Sequence, residues 1–245
     1  MIMPKRRYVD LHVKLYGDHD PPELLAKMAK HLGFSLIAFS LDPTPLQRCN
    51  EIMGEVKKTC EQLGLDVAFR LDLQPLRSGE LKSLLRKYRR TFEVIAVKCR
   101  NVSVARVAAR DRRVDVTCFD PSDVPSLLDE SQVNLMVESG HFIEVNLLDL
   151  VYEQPEKQAR ALWNYRVAIE AAVKKGVPLI FSSGSSKALE MRAPRELSSV
   201  ALLVVGNERL ARDSVSINPM KLIEVNREKL KPTYVQPGVK VVESW

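Results

Sequence analysis

Short apolar runs alternate with amphipathic stretches at a regular pitch along most of this chain, and that rhythm restricts the fold more than any single motif does. Runs at 8–13, 35–40, 66–73, 94–98, 115–118 and 142–148, and the apolar residues just ahead of Ser182, have the length and composition of strands. Between them apolar residues recur every three or four positions, as Leu24, Leu25, Met28, Ala29 and Leu32 do, or Leu46, Cys49, Ile52, Met53, Val56, Cys60 and Leu63. Helices of that length serve as crossovers. Strand, crossover and strand in repetition is the order of an α/β protein with a parallel sheet.

Local signals place the helix ends. Asp20, Pro21 and Glu23 read as N-cap, first-turn proline and third-position acid, with Gly33 as the stop. Thr44-Pro-Leu-Gln47 reads as a capping box for a helix closed by Gly64. A third helix is expected over 78–90, and Asn101 caps a fourth that runs to Arg110. The longest is expected over 155–175, stopped by Gly176 and Pro178; Pro194 and Asn207 open two more, and 219–231 is helical again. The stretch 122–140 stays open, since a helical turn suits 123–128 and either a helix or a strand suits 132–138. Residues 1–231 are expected to form one barrel-sized domain and 232–245, which contain Pro237-Gly238, a tail.

Charge is concentrated. From Arg77 to Arg113 there are twelve Lys or Arg against three acids, a surplus of nine, while the whole chain carries +6. The rest is therefore slightly acidic, and a local surplus of this kind is the footprint of a phosphate-backbone binder or of well-solvated helix faces. Cys49, Cys60, Cys99 and Cys118 form no C-x-x-C pair and read as reduced core residues. No apolar run approaches the roughly 18 residues of a membrane span, and residues 1–7 lack the apolar stretch of a signal peptide, so the expected location is the cytoplasm.

Three constellations can carry chemistry. Ser182, Ser183, Gly184 and Ser185 follow a buried strand and precede Lys187 and Arg192, which suits a loop that cradles phosphate or an ordinary solvated turn. Asp10-Leu-His12 sits on the first strand, where Asp-x-His-x-His would open a metal site, but the third member is Lys14, and an ammonium has no lone pair to give. Glu144 and Asn146 point the same way from one strand, either lining a barrel mouth or bonded within the interior. Arg70, Lys98 and Arg100, within or just past strands, are expected to share the strand-end face with Lys187 and Arg192. On the third helix Arg86, Lys87, Arg89 and Arg90 are expected outside, and Arg106 belongs to the same basic segment. Gly-x-Ser-x-Gly, Gly-x-Gly-x-x-Gly and the P-loop pattern are absent, so no catalytic residue and no cofactor are assigned.

Tyr8-Val-Asp-Leu-His-Val13, Ile143-Glu-Val-Asn-Leu147, Arg160-Ala-Leu-Trp-Asn-Tyr-Arg166, Leu179-Ile-Phe-Ser-Ser-Gly-Ser-Ser186, Met191-Arg-Ala-Pro-Arg-Glu-Leu197 and Ser214-Val-Ser-Ile-Asn-Pro-Met220 together resemble the ribonuclease P protein component 3 family, the thirty-kilodalton class of archaea and eukaryotes. The resemblance implies a TIM-barrel-like (β/α) barrel related to the polymerase-and-histidinol-phosphatase hydrolases, with a degenerate metal site. It also implies a non-catalytic subunit of the endonuclease that removes the 5′ leader from precursor tRNA. In that family the RNA subunit is the catalyst and uses Mg²⁺, and the partners are that RNA, component 2 and the other protein subunits, with precursor tRNA met indirectly. Two other readings stay open: a metal-dependent phosphoesterase of the same barrel class, and a metabolic enzyme that holds phosphate on the serine loop.

Overall fold

Seven parallel strands, buried almost throughout, lie side by side in sequence order. They are β1 (Val9–Lys14), β2 (Leu36–Leu41), β3 (Asp66–Leu73), β4 (Val94–Cys99), β5 (Val116–Phe119), β6 (Phe142–Asn146) and β7 (Leu179–Ser182). The computed structural model describes residues 6–151, 154–236, 239 and 240. Residues 1–5, where most of the signal-peptide reading fell, and Pro237-Gly238 in the tail lie outside that set. The crossovers are α1 (Pro22–Leu32), α2 (Leu46–Leu63), α3 (Ser78–Tyr88), α4 (Val102–Arg110), α5 (Val124–Leu127) with α6 (Glu130–Ser139), and α7 (Pro155–Lys174). After β7 come α8 (Pro194–Val205), α9 (Glu208–Ser214), α10 (Ile217–Leu230) and the antiparallel pair β8 (Tyr234–Gln236) and β9 (Val239–Lys240).

The sheet curls into a nearly closed barrel, and the join between β1 and β7 is made by other means than a ladder. Lys14 N–H donates to the Ser185 carbonyl at 2.8 Å and Gly184 N–H to the His12 carbonyl at 3.0 Å. The Asp10 carboxylate takes the Ser183 N–H at 3.0 Å, and on the other edge of β1 the register with β2 shifts between Asp10 and Val13. A side chain thus adds to the few backbone bonds that close the seam between β1 and β7.

Two apolar layers result. One lies between strands and surrounding helices, and the other fills the barrel with Leu11, Leu36, Ala38, Ala68, Val94, Ala96, Val116 and Ile180. The inner layer is completed by Leu222 and Ile223, so α10 stoppers the end where the strands begin. Arg227 fixes that stopper, bonding Asp66 at 2.9 and 3.0 Å and Glu93 at 2.7 Å at the entries to β3 and β4.

Several local expectations change. Asp20 does not cap α1: its carboxylate accepts the Ala188 N–H at 2.8 Å, and Pro21 holds the N-cap position. The box at Thr44 is not made either, because Pro45 is the N-cap and the Thr44 hydroxyl lies 3.1 Å from the Cys49 sulfur. The open stretch is two helices, the second capped by Asp129. The sixth strand stops at Asn146 and passes into a 3-10 turn over Leu147–Leu150.

Candidate functional site

Strand alternation aims Arg70 and Asp72 of β3 and Glu144 and Asn146 of β6 into the barrel above the apolar layer. There they close on one another. Both terminal nitrogens of Arg70 donate to Glu144 at 2.7 Å, its Nε donates to Asp72 at 2.7 Å, and Nη1 also reaches the Leu11 carbonyl at 3.3 Å. Ser182 Oγ donates to Glu144 at 2.8 Å and Cys118 Sγ at 3.2 Å. A fork-on-fork guanidinium and carboxylate satisfied on all sides is the arrangement in which a buried charge pair is tolerable. Burial would raise both acids, but Arg70 first and His12 second hold Asp72 and Glu144 below the usual carboxylate range.

His12 spans the next layer up. Its Nδ1 lies 2.9 Å from the Asn146 amide oxygen and its Nε2 2.9 Å from Asp72 Oδ2, the second contact lying off the hydrogen-bonding direction. Tyr16 donates its hydroxyl to the same Asp72 oxygen at 2.9 Å, and burial together with Asp72 pushes that phenol up. A cavity of about 170 Å³ remains at the mouth, lined by these groups and by Lys14, Lys98 and Asp149.

This donor set does not fit a metal centre. Glu144 and Asp72 are neutralised by a guanidinium in their midst, both His12 nitrogens already face oxygen, and Lys14 adds a further cation. Asp10 faces the seam instead of the mouth. Among the described residues no three His, Cys, Asp or Glu come together in ligand geometry.

The serine loop differs from a phosphate cradle. Ser182, Ser183 and Ser185 are fully buried, and Ser183 Oγ bonds the His12 carbonyl and Ser185 Oγ. The N–H groups of Ser183 and Gly184 go to Asp10 and the His12 carbonyl, that of Ser185 to the Ser183 hydroxyl, and those of Ser186 and Lys187 to Glu190. The hydroxyls of Ser182, Ser183 and Ser185 and the N–H groups from Ser183 to Lys187 are thus spent inside the protein. Gly184 is required there: its φ is +69°, and a Cβ would stand 2.9 Å from the Asn146 Cβ.

The expected RNA-facing cations divide. Arg70 is 1 % exposed and cannot reach a nucleic acid. Arg89 is held by Asp115 at 2.5 Å, Arg106 by Asp129 at 2.5 Å, Lys98 by Asp120 at 2.6 Å and Lys187 by Asp18 at 2.7 Å. Arg86, Lys87, Arg90, Arg100 and Arg192 are exposed, with Lys87 4.8 Å above the Tyr88 ring. Helices run against the strands, so Arg86, Lys87 and Arg90 lie at the α10 end of the barrel, opposite Arg100 and Arg192 at the mouth.

The sequence profile described as RNase P subunit p30 matches residues 7–231. The chain belongs to that family. Among curated relatives of the p30-family chain, ribonuclease P protein component 3 of Methanosarcina mazei is 27 % identical over 98 % of both chains. That of Methanothermobacter thermautotrophicus is 23 % identical over 91 % of this chain and 92 % of its own. Among solved structures, a chain of archaeal ribonuclease P with mature tRNA superposes with a TM-score of 0.81 at 19 % identity, covering 96 % of this chain and 98 % of that one. A histidinol phosphate phosphatase of Lactococcus lactis, solved with zinc, L-histidinol and phosphate, gives a TM-score of 0.53 at 11 % identity over 82 % of this chain and 94 % of its own. The fold of the p30-family barrel is thus that of hydrolase barrels, while its mouth holds a closed ionic cluster.

Two groups of the p30-family chain escape a reading of the sequence. His141 is buried with neither ring nitrogen hydrogen-bonded, and Lys221 and Lys229 stand near it on α10. Their spacing of eight residues on a helix is the one signal that pairs the two lysines.

Proposed function

We propose that this chain acts in the cytoplasm as a non-catalytic protein subunit of ribonuclease P. In this reading it binds the catalytic RNA and supports removal of the 5′ leader from precursor tRNA, with component 2 and the other protein subunits as its neighbours. The observation that carries it is Arg70, whose guanidinium sits between Glu144 and Asp72 where a hydrolase barrel needs open ligands, in a chain of the p30 family. Family membership supports the assembly, and the closed ionic cluster at the mouth argues that chemistry is done elsewhere in it. The similar chain of known structure belongs to an archaeal ribonuclease P solved with mature tRNA.

Cations brought to a folded RNA neutralise phosphates and release counterions, so they replace part of the Mg²⁺ that the RNA needs by itself. Cleavage of precursor tRNA by the RNA alone and by RNA with this chain and component 2 is therefore expected to differ most at low Mg²⁺. No gain there would remove the support for this role. The phosphoesterase alternative predicts bound metal and ester turnover by the protein alone; the donor set at the mouth does not favour it.

A further inference from the structure

Beneath the barrel, α10 leaves a cavity of about 350 Å³ against the entries to β5 and β6. That is many times the ~30 Å³ a water occupies in the liquid. His141, just ahead of β6, lines it and is 2 % exposed. Neither of its ring nitrogens has a hydrogen-bond partner; the backbone of Asp111 acts on the ring without reaching hydrogen-bonding geometry. A buried imidazole offers one donor and one acceptor, and native structures rarely leave both unmet.

Three cations share the lining with apolar side chains and with Asp115. Lys221, Val225 and Lys229 recur every fourth residue and form one stripe of α10 along the cavity, with Arg112 on the loop ahead of β5. The carboxylates nearby are engaged: Asp111 by Arg113 at 2.7 Å, and Asp115 by Arg89 at 2.5 Å, the Ile95 N–H at 2.8 Å and Asn226 at 2.8 Å. Among the described residues Arg112, Lys221 and Lys229 enter no ion pair, and Lys229 donates to the Asn226 amide oxygen at 3.1 Å. Desolvation lowers the Lys229 ammonium's pKa, opposed by Asp115 and reinforced by Arg89.

We infer that this cavity is a phosphate site for RNA, in which a phosphodiester group sits among Arg112, Lys221 and Lys229 and accepts the N–H of His141. The inference rests on the reading of the chain as an RNA-binding subunit and adds where the RNA lies. Arg86, Arg90 and Arg110, exposed at the same end of the barrel, would continue the track of the backbone beyond the cavity. A free phosphate ester would meet the same four groups, so the test must separate the two sources.

The test titrates full-length, ¹⁵N-labelled protein with ribonuclease P RNA and, separately, with inorganic phosphate. It follows the His141 ring signal, assigned by its loss in His141→Gln. RNA affinity is measured against salt for the parent, for Lys221→Gln/Lys229→Gln, and for Lys57→Gln/Lys58→Gln on the exposed face of α2. RNA should move the His141 signal. The α10 pair should reduce the slope of log K against log salt by about 1–2 and weaken binding several-fold, while the α2 pair changes neither. A His141 signal moved by phosphate alone, with the RNA slope intact in the α10 pair, would assign the cavity to a small phosphorylated molecule and overturn the RNA placement. A signal unmoved by either titrant overturns the site while leaving the subunit role standing. Parent protein that binds no RNA overturns both, and is recognised because there is then no slope to compare.

Discussion

At the scale of single residues, Arg70 decides what the mouth can be. With Arg70→Met, Glu144 and Asp72 stay buried without their cation, and an orphaned buried charge costs about 3–5 kcal/mol. The urea midpoint should fall accordingly at constant m, and adding Glu144→Gln should restore part of it; a single variant as stable as the parent would refute the account. His141 gives a pH signature. Desolvation holds its ring down to about 4, against roughly 6.5 in an unfolded chain. Between those values the unfolded chain binds a proton that the folded chain refuses, so this contribution is whole above about 6.5 and lost as pH falls toward 4. Asp10 and Asp115, raised by burial, act in the opposite sense, and Asp72 and Glu144, whose pKa values are lowered, lose their contribution only below about pH 4. His141→Gln should therefore flatten the midpoint's decline between pH 6.5 and 4 relative to the parent and leave the acid limb below 4 unchanged; parallel curves would exclude the residue as its cause. The sequence shows Arg70, Asp72, Glu144 and Asn146 as polar positions in apolar strands. It does not show that Arg70 meets a residue 74 positions away, because that depends on the register of four strands and the curl of the sheet.

Elements were legible where the signal is periodic and local. Apolar stripes found α2, α3 and α7 to within a residue or two, and Asn101 and Asn207 cap α4 and α9 as expected. Caps went astray where a distant group competes: Asp20 is claimed by the Ala188 N–H, 168 residues away. The serine loop misled for the same reason, since its composition suits phosphate but its donors answer to Asp10, His12 and Glu190. That loop predicts a contrast between two glycines of left-handed φ. Gly176 at +99° has open space around it, whereas Gly184 at +69° faces Asn146. Gly176→Ala should cost about 1 kcal/mol from backbone strain, and Gly184→Ala about 1–3 kcal/mol more, because Asn146 must move and release His12. Thermal unfolding measures the difference; equal costs would mean that the Asn146 contact yields freely.

For the whole molecule the decisive property is where charge remains unspent. The surplus of nine between Arg77 and Arg113 is visible in the sequence, but which cations are free is a matter of partners. Arg89 belongs to the architecture: its bond to Asp115 ties the end of α3 to the entry of β5. Arg86, Lys87 and Arg90 are exposed at the α10 end, and Arg100 and Arg192 at the mouth. RNA laid across the α10 end would be felt at the first set and not the second. Replacing Arg86, Lys87 and Arg90 by Gln should then lower the salt slope of RNA binding by about 2–3 with the fold intact, because each lost phosphate contact removes close to one unit. Arg100→Gln/Arg192→Gln should leave the slope in place, and Arg89→Gln should lower the unfolding midpoint instead, since it strips a buried carboxylate of its partner. If the mouth pair carries the slope and the α3 triple does not, the RNA lies on the other end of the barrel and the mouth's ionic cluster serves to support that surface.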